Sequence, residues 1–306
     1  MNWLTGTFVI SVLTSTITLA TPLIYGALAG VVSERAGVVN IAIEGMMLTS
    51  AYACAATTAV SQSLFLGVLV GLLAGAATGL FLAVLAVSLR VDQVVGGFVI
   101  NIAAAGATAF LLRTAFPSGI STPLIGQVNI PALSNIPGVG QILFQQNALV
   151  YLAIALVPAV HIYLFRTRLG LRSRAVSENP KAADVAGINV SRVRYGAVIA
   201  SGALAGLAGA FLAASTGSFS EGVTSGKGFI ALAAVIFGKW RPIPAALATL
   251  LFGFCLSLEP QLQFTNISVA LPVLYMIPYV VTILVLAGFI GRAVAPAADG
   301  IPYVKE

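Results

Sequence analysis

LFLGVLVGLLAGAATGLFLAVLAV, residues 64–87, holds no charged side chain and no alternation of period two. A strand of a membrane barrel is about ten residues long and alternates apolar with polar side chains. This run is apolar all round, and about 20 such residues span the hydrocarbon of a bilayer as a helix. The same pattern recurs: residues 1–33, 45–89, 114–165, 195–220 and 260–291 carry no charge. Of 306 residues 59% are hydrophobic and 8% charged, where a soluble domain carries about 25% charged residues. The chain therefore reads as all-α, a polytopic helix bundle in one domain over residues 1–306. Cutting the uncharged stretches at turn signals such as Ser61-Gln62-Ser63 predicts roughly nine spans. They are 7–32, 36–60, 64–89, 94–116, 148–165, 195–217, 229–238, 243–258 and 269–290, with 229–238 short enough for a half-helix.

The start MNWLTGTFVI has no basic region, so the first span is expected to stay in the membrane rather than be cleaved. Cys54 and Cys255 fall inside spans with no CxxC or His neighbour, and read as packing residues. Lys and Arg are enriched in cytoplasmic loops. Placing loop 166–194 inside puts thirteen of the fifteen basic residues inside, leaving only Arg113 and Lys227 at or near the outer face. The C-terminus is then cytoplasmic and the N-terminus outside. The net charge of +6 is a topology signal. No basic patch interleaves with aromatics, so a nucleic-acid partner is not expected.

Two loops depart from the membrane pattern. The outer loop 117–147 is uncharged and contains Pro117, Pro123, Pro131 and Pro137, which predicts irregular structure or short helices packed over the bundle. Loop 166–194, RTRLGLRSRAVSENPKAADVAGINVSRVR, has seven basic and two acidic residues. In it Asn179 is a good N-cap, and Pro180 follows at N1, where a missing N–H is harmless. A short helix over 180–186 is predicted, with Gly187 in the left-handed position and Ile188 folding back. Ala182, Val185 and Ala186 share one face and Lys181 and Asp184 another. Such an exposed, small-residue helix suits a groove in a second protein.

Ionisable and amide side chains at membrane depth are functional candidates by default. Glu44 and Asn40 lie one turn apart, bracketed by Gly37 and Gly45, in what reads as an interrupted or tightly packed entry to a helix. Asn101 lies near Phe98 and Gln93. For Glu44 and Asn101 a structural role, capping or bridging helices, competes with solute contact. Gly71, Gly75 and Gly79 in one span and Gly202, Gly206 and Gly209 in another mark close helix contacts. The two spans run in opposite directions in this topology, which hints at an inverted internal repeat. Catalytic machinery is not in evidence. GVTSGKG (222–228) lacks the GxxxxGK[ST] spacing of a phosphate loop, there is one His, and HExxH and GxSxG are absent. An ATP-driven transporter built on this chain needs its ATPase on another chain.

Three blocks carry a family resemblance. GVVNIAIEGMM (37–47) resembles the G-x-x-N-I-x-x-E-G-M-M motif of ABC-importer permeases of the family that includes branched-chain amino acid, simple-sugar and nucleoside permeases. SENPKAADVAGINVSRVR (177–194) resembles the family's cytoplasmic coupling segment, with Ser177 where many relatives have Gly. GFIALAAVIFGKWRPIPA (228–245) resembles a third family block. The Glu44-Gly45-Met46-Met47 form is similar to nucleoside-type permeases that work with a basic-membrane-lipoprotein-type binding protein. The resemblance implies a cell-membrane transport subunit, not an enzyme, for nucleosides or alternatively a simple sugar or branched-chain amino acid. It implies ABC ATPase subunits docked on Asn179, Pro180, Lys181, Ala182, Ala183, Asp184, Val185, Ala186 and Gly187, a second permease subunit, identical or homologous, and an external substrate-binding lipoprotein. ATP and magnesium belong to the ATPase, with no cofactor or metal on this chain. Asn40, Glu44, Phe98 and Asn101 are the candidates for the solute pathway. An ATP-independent carrier or channel is the reading from a different class, and the lack of paired intramembrane carboxylates for proton coupling speaks against it.

Overall fold

A computed structural model describes residues 6–131, 133–134, 136–263, 276, 280 and 293–305. The helices are α1 (Gly6–Glu34), α2 (Ile43–Ser61), α3 (Leu64–Ala83) running into a π turn at Val84–Ser88, and α4 (Gln93–Ala115). The loop 117–147 holds α5 (Val139–Leu143), and after it come α6 (Ala148–Arg166), α7 (Arg168–Glu178), α8 (Pro180–Val185), α9 (Val190–Thr216), α10 (Lys227–Phe237) and α11 (Pro242–Gln263). Eight of the expected spans thus contain a helix; the ninth, 269–290, lies outside the described residues apart from Met276 and Val280. Among the described residues five helices are long and apolar enough to cross a membrane: α1, α3 with its π turn, α4, α6 and α9. Cys54 and Cys255 are buried and unpaired, as packing residues are.

The core forms around α9, which packs on α1, α2 and α3, while α11 covers α1. Glycine decides how closely α3 and α9 approach. Gly75 faces Gly202 and Gly206, and Gly79 faces Val198 and Gly202, so the helices cross antiparallel on their glycine faces. A methyl on Gly75 would abut the Gly202 carbonyl oxygen and lie 2.5 Å from the Gly206 Cα. The Ser50 hydroxyl of α2 sits between the carbonyl oxygens of Gly71 and Gly206, 2.7 and 2.5 Å away, and joins all three helices. Lipid offers no hydrophobic drive for this contact, so close dispersion contact and such buried hydrogen bonds hold it.

The outer loop is less irregular than its composition suggests. Strand β1 (Ile120–Ser121) pairs with β4 (Ser218–Phe219) just after α9, and β2 (Gln127–Asn129) pairs with β3 (Gln145–Asn147). An Arg113–Glu221 ion pair at 2.9 Å ties the end of α4 to the same region. The basic residues gather at the other end. Arg35 Nε donates to the Trp240 carbonyl at 2.8 Å. The guanidinium groups of Arg174, Arg35 and Arg241 lie 4.9, 5.9 and 6.0 Å from the centre of the Phe165 ring. Lys227 opens α10 and is partly buried in the bundle.

Gly75→Ala should destabilise the folded protein by about 1–3 kcal/mol, because backbone rather than a flexible side chain blocks the new methyl. Gly106→Ala in α4, where nothing lies within 4 Å of the added carbon, should be neutral or stabilising. Thermal unfolding of the two variants in detergent checks the pair.

Candidate functional site

The segment predicted as the first turns of a span at 36–60 is not helical; α2 begins only at Ile43. Gly37 adopts φ +82°, and residues 38–40 have no regular secondary structure. An unwound backbone inside a bundle must find partners for its amides and carbonyls within the protein. Side-chain amides supply them here. Gln93 Oε1 accepts the Val39 amide at 2.7 Å, Asn101 Nδ2 donates to the Ile41 carbonyl at 2.9 Å, and Asn101 Oδ1 accepts the Gly45 amide at 2.7 Å. Asn40 Nδ2 donates to Ser201 Oγ at 2.8 Å, and Ser201 donates onward to the Ala29 carbonyl at 2.7 Å.

Glu44 sits in the first turn of α2. One of its carboxylate oxygens accepts the Gly226 amide at 2.8 Å and the other the Gly228 amide at 2.6 Å. These are free N–H groups at the start of α10, where the helix carries partial positive charge. Lys227 stands between them. A Cβ on Gly228 would lie 2.6 Å from the Glu44 amide nitrogen, so glycine alone lets the two helix starts meet. The eleven residues of α10 rise about 16 Å, roughly half the hydrocarbon thickness. With its far end at the basic turn Lys239–Arg241, α10 is a half-helix that starts inside the bundle.

Asn40, Glu44 and Asn101 are therefore brought together at a broken-helix junction: Glu44 and Asn101 are committed to its backbone, while Asn40 bonds the Ser201 side chain and keeps a buried Oδ1 without a hydrogen-bond partner. Phe98 lies alongside: its ring stacks with Phe229 of α10 at 6.3 Å between centroids and 29° between planes, and both rings are exposed. One turn further along α2, Thr49 bonds Thr78 hydroxyl to hydroxyl at 3.1 Å. The pair lines a cavity of about 350 Å³ with Ala77, Phe81, Ile100, Ala103, Ala104 and Ala107. Sequence reasoning missed Gln93, Ser201, Lys227, Gly228 and Phe229, whose partners lie far along the chain. The only local hint was the pair of glycines around Lys227.

The second candidate site is α8. Asn179 Oδ1 accepts the Ala182 amide at 3.0 Å, and Pro180 occupies N1. Gly187 at φ +83° ends the helix: its amide reaches the Asp184 carbonyl at 2.9 Å and the Ile188 amide the Ala183 carbonyl at 3.0 Å. Both bonds of a Schellman motif are present. Lys181, Ala182, Val185 and Ala186 are exposed, Val185 at 91%. Ala183, also among the expected docking residues, is buried in a cluster with Val176 and Val190 and anchors the helix. The rest of loop 166–194 holds a further helix, α7, and Asp184 pairs with Lys305 at 3.5 Å.

Lys305 belongs to the segment 293–305, which lies along the basic end. Its Asp299 carboxyl has one buried oxygen without a hydrogen-bond partner. Burial, and then the nearby Glu34 carboxylate, push its pKa up to about 8, against the opposing pull of Arg194.

Fold and site define a polytopic helical membrane protein of the permease kind, with a helix junction inside the bundle and a presented helix at its basic end. The chain belongs to the family described as the permease component of branched-chain amino acid transport systems, whose pattern matches residues 12–286. It is 44% identical over 299 residues to the nucleoside ABC transporter permease protein NupC of Lactococcus lactis subsp. cremoris, covering 94% of each chain. It is 43% identical over 313 residues to the guanosine ABC transporter permease protein NupQ of Bacillus subtilis, covering 95% of each. To the putative glucose ABC transporter permease protein TsgC13 of Haloferax volcanii it is 38% identical, over 86% of this chain and 80% of that one. No solved structure matches.

Glu44→Gln should turn an amide NH2 toward the Gly226 or Gly228 N–H and leave one of them unpaired, at a cost of about 1–3 kcal/mol in stability. Thermal unfolding measures it, and Glu44→Ala should cost more. For Asp299, a carboxyl whose folded pKa exceeds its unfolded value holds its proton in the docked state. Docking of 293–305 should therefore weaken progressively as pH rises from about 4 to about 8 and level off above that. Limited proteolysis of this segment across that range reads the effect, and Asp299→Asn should reduce the dependence on pH.

Proposed function

We propose that this chain is a permease subunit of an ATP-driven ABC importer for nucleosides. The observation that carries the reading is the doubly capped helix α8, which holds Ala182, Val185 and Ala186 out to solvent at the basic end. The relatives named for nucleoside and guanosine transport, matched over nearly the whole chain, support the solute class.

In this reading the basic end faces the cytoplasm, and the C-terminal segment with it. ATPase subunits on separate chains, carrying ATP and magnesium, dock on residues 179–187, with Ala183 anchoring the helix from below. A second permease subunit completes the pathway, and an external binding lipoprotein delivers the solute. The pathway runs past Phe98, Asn40, Glu44 and Asn101. Exposed aromatic rings beside a polar junction suit a base and a ribose. The bundle has nine spans, the ninth over 269–290, and α3 and α9 correspond in an inverted repeat, a view their antiparallel glycine crossing supports. ATP drives the cycle because it binds the two states of the assembly unequally.

Val185→Asp should abolish ATPase association and ATP-driven uptake in reconstituted vesicles without lowering thermal stability, since the side chain touches solvent alone. In the same vesicles uptake should need the ATPase, and unlabelled nucleosides should compete while ribose and branched-chain amino acids do not. Flux through this chain without an ATPase would overturn the importer reading.

A further inference from the structure

The segment 293–305 makes contacts on two sides. At one side it holds the docking helix. Lys305 pairs with Asp184 of α8, and Tyr303 packs on the Val176, Ala183 and Val190 cluster that anchors α8. The Ala298 amide donates to the Ser177 carbonyl at 2.8 Å, at the end of α7. At the other side it touches the unwound turn that leads to Glu44. A Cβ on Gly37 would lie 3.0 Å from Arg194 Nη2 and 3.2 Å from the Ala298 carbonyl oxygen, and one on Gly300 would lie 3.4 Å from the Val39 side chain.

Arg194 joins the two sides. It is the largest fully buried side chain described, in the second turn of α9. Its Nη1 donates to the Ile301 carbonyl at 2.9 Å and its Nη2 to the Ala298 carbonyl at 3.5 Å. A buried guanidinium is costly to desolvate. Here it is spent on two carbonyls of one short segment, which makes the position of that segment well defined.

We propose that residues 297–305 form a strap carrying movement of α8 to the turn at 35–42, and that Arg194 is its positioning residue. The turn is a sensitive target. Val39 is held by Gln93 at the start of α4, Asn40 by Ser201 of α9, and four residues further on Glu44 caps the half-helix α10. A displacement there reaches all three helices around the junction. The proposal rests on α8 as the ATPase dock, and it adds a route from that dock to the pathway that bypasses the length of α9.

The test uses the full assembly in vesicles, with three readouts: ATPase association, ATP hydrolysis and nucleoside uptake. Arg194→Gln should retain the ATPase and continue to hydrolyse ATP, but raise the ATP spent per solute moved about fivefold or more. Arg194→Lys, which reaches one carbonyl instead of two, should restore part of the coupling. The double variant Tyr303→Ala, Lys305→Ala alters only the strap's outer end and should show the same split. That variant decides the matter if Arg194→Gln does not fold. An unchanged ratio of hydrolysis to uptake, or a loss of uptake that simply follows the amount of folded protein, overturns the strap. Failure of the docking reading looks different: Val185→Asp would then keep its ATPase.

Discussion

The carboxylate of Glu44 accepts two amides at the start of α10, and the centre of this membrane protein is built around that pair of bonds. A helix that begins within a bilayer exposes N–H groups that lipid cannot satisfy. Glu44 meets them with charge as well as hydrogen bonds, where the helix dipole favours an anion. The same residue lies in the first turn of α2, so one side chain ties two helix starts to each other. The unwound residues before it follow from this. They bring α2 to the junction at the right height; Gln93 and Asn101 replace bonds a continuous helix would have made for itself, and Ser201 holds the Asn40 side chain.

That junction needs a rigid surround, and the surround is glycine. The crossing of α3 and α9 brings backbone against backbone, and Gly228 lets α10 touch α2. At these places no side chain can be interposed, so the helices have few alternative distances. Packing is looser elsewhere: among the described residues α4 leans chiefly on α2. The exposed Phe98 and Phe229 lie on that looser side, next to the junction.

At the basic end the chain assembles an exposed helix on an apolar anchor. Ala183 faces inward and Val185 outward within one turn of α8. The division has a simple cause: a six-residue helix is marginal in water, so it needs both caps and a foot in the protein to keep its outer face presented. The segment 293–305 adds to that foot through Tyr303 and Lys305.

Much of this was legible in the order of the residues, and the boundary of what was legible is physical. Apolar length marks the spans because the bilayer imposes it. Asn179, Pro180 and Gly187 mark α8 because capping is settled within nine residues. That each glycine-bearing span comes close to a neighbour was readable for the same reason, since small side chains matter only where something comes close, but that the two face each other was not. Glu44 was visible as an ionisable group at depth, but its partners lie 182 and 184 residues away, and no local pattern names them. Ala183 shows the same limit, because helical spacing groups the residues of α8 into faces without saying which face the neighbouring helices cover. Arg194 read as one more charge of a basic loop, yet it is buried against carbonyls 104 and 107 residues on. The sequence by itself determined the bundle, its charged end and its capped helix, all consequences of solvent and of neighbours in the chain. The tertiary structure alone decided which polar groups meet inside, because a buried hydrogen bond is chosen by what the folded chain brings within 3 Å.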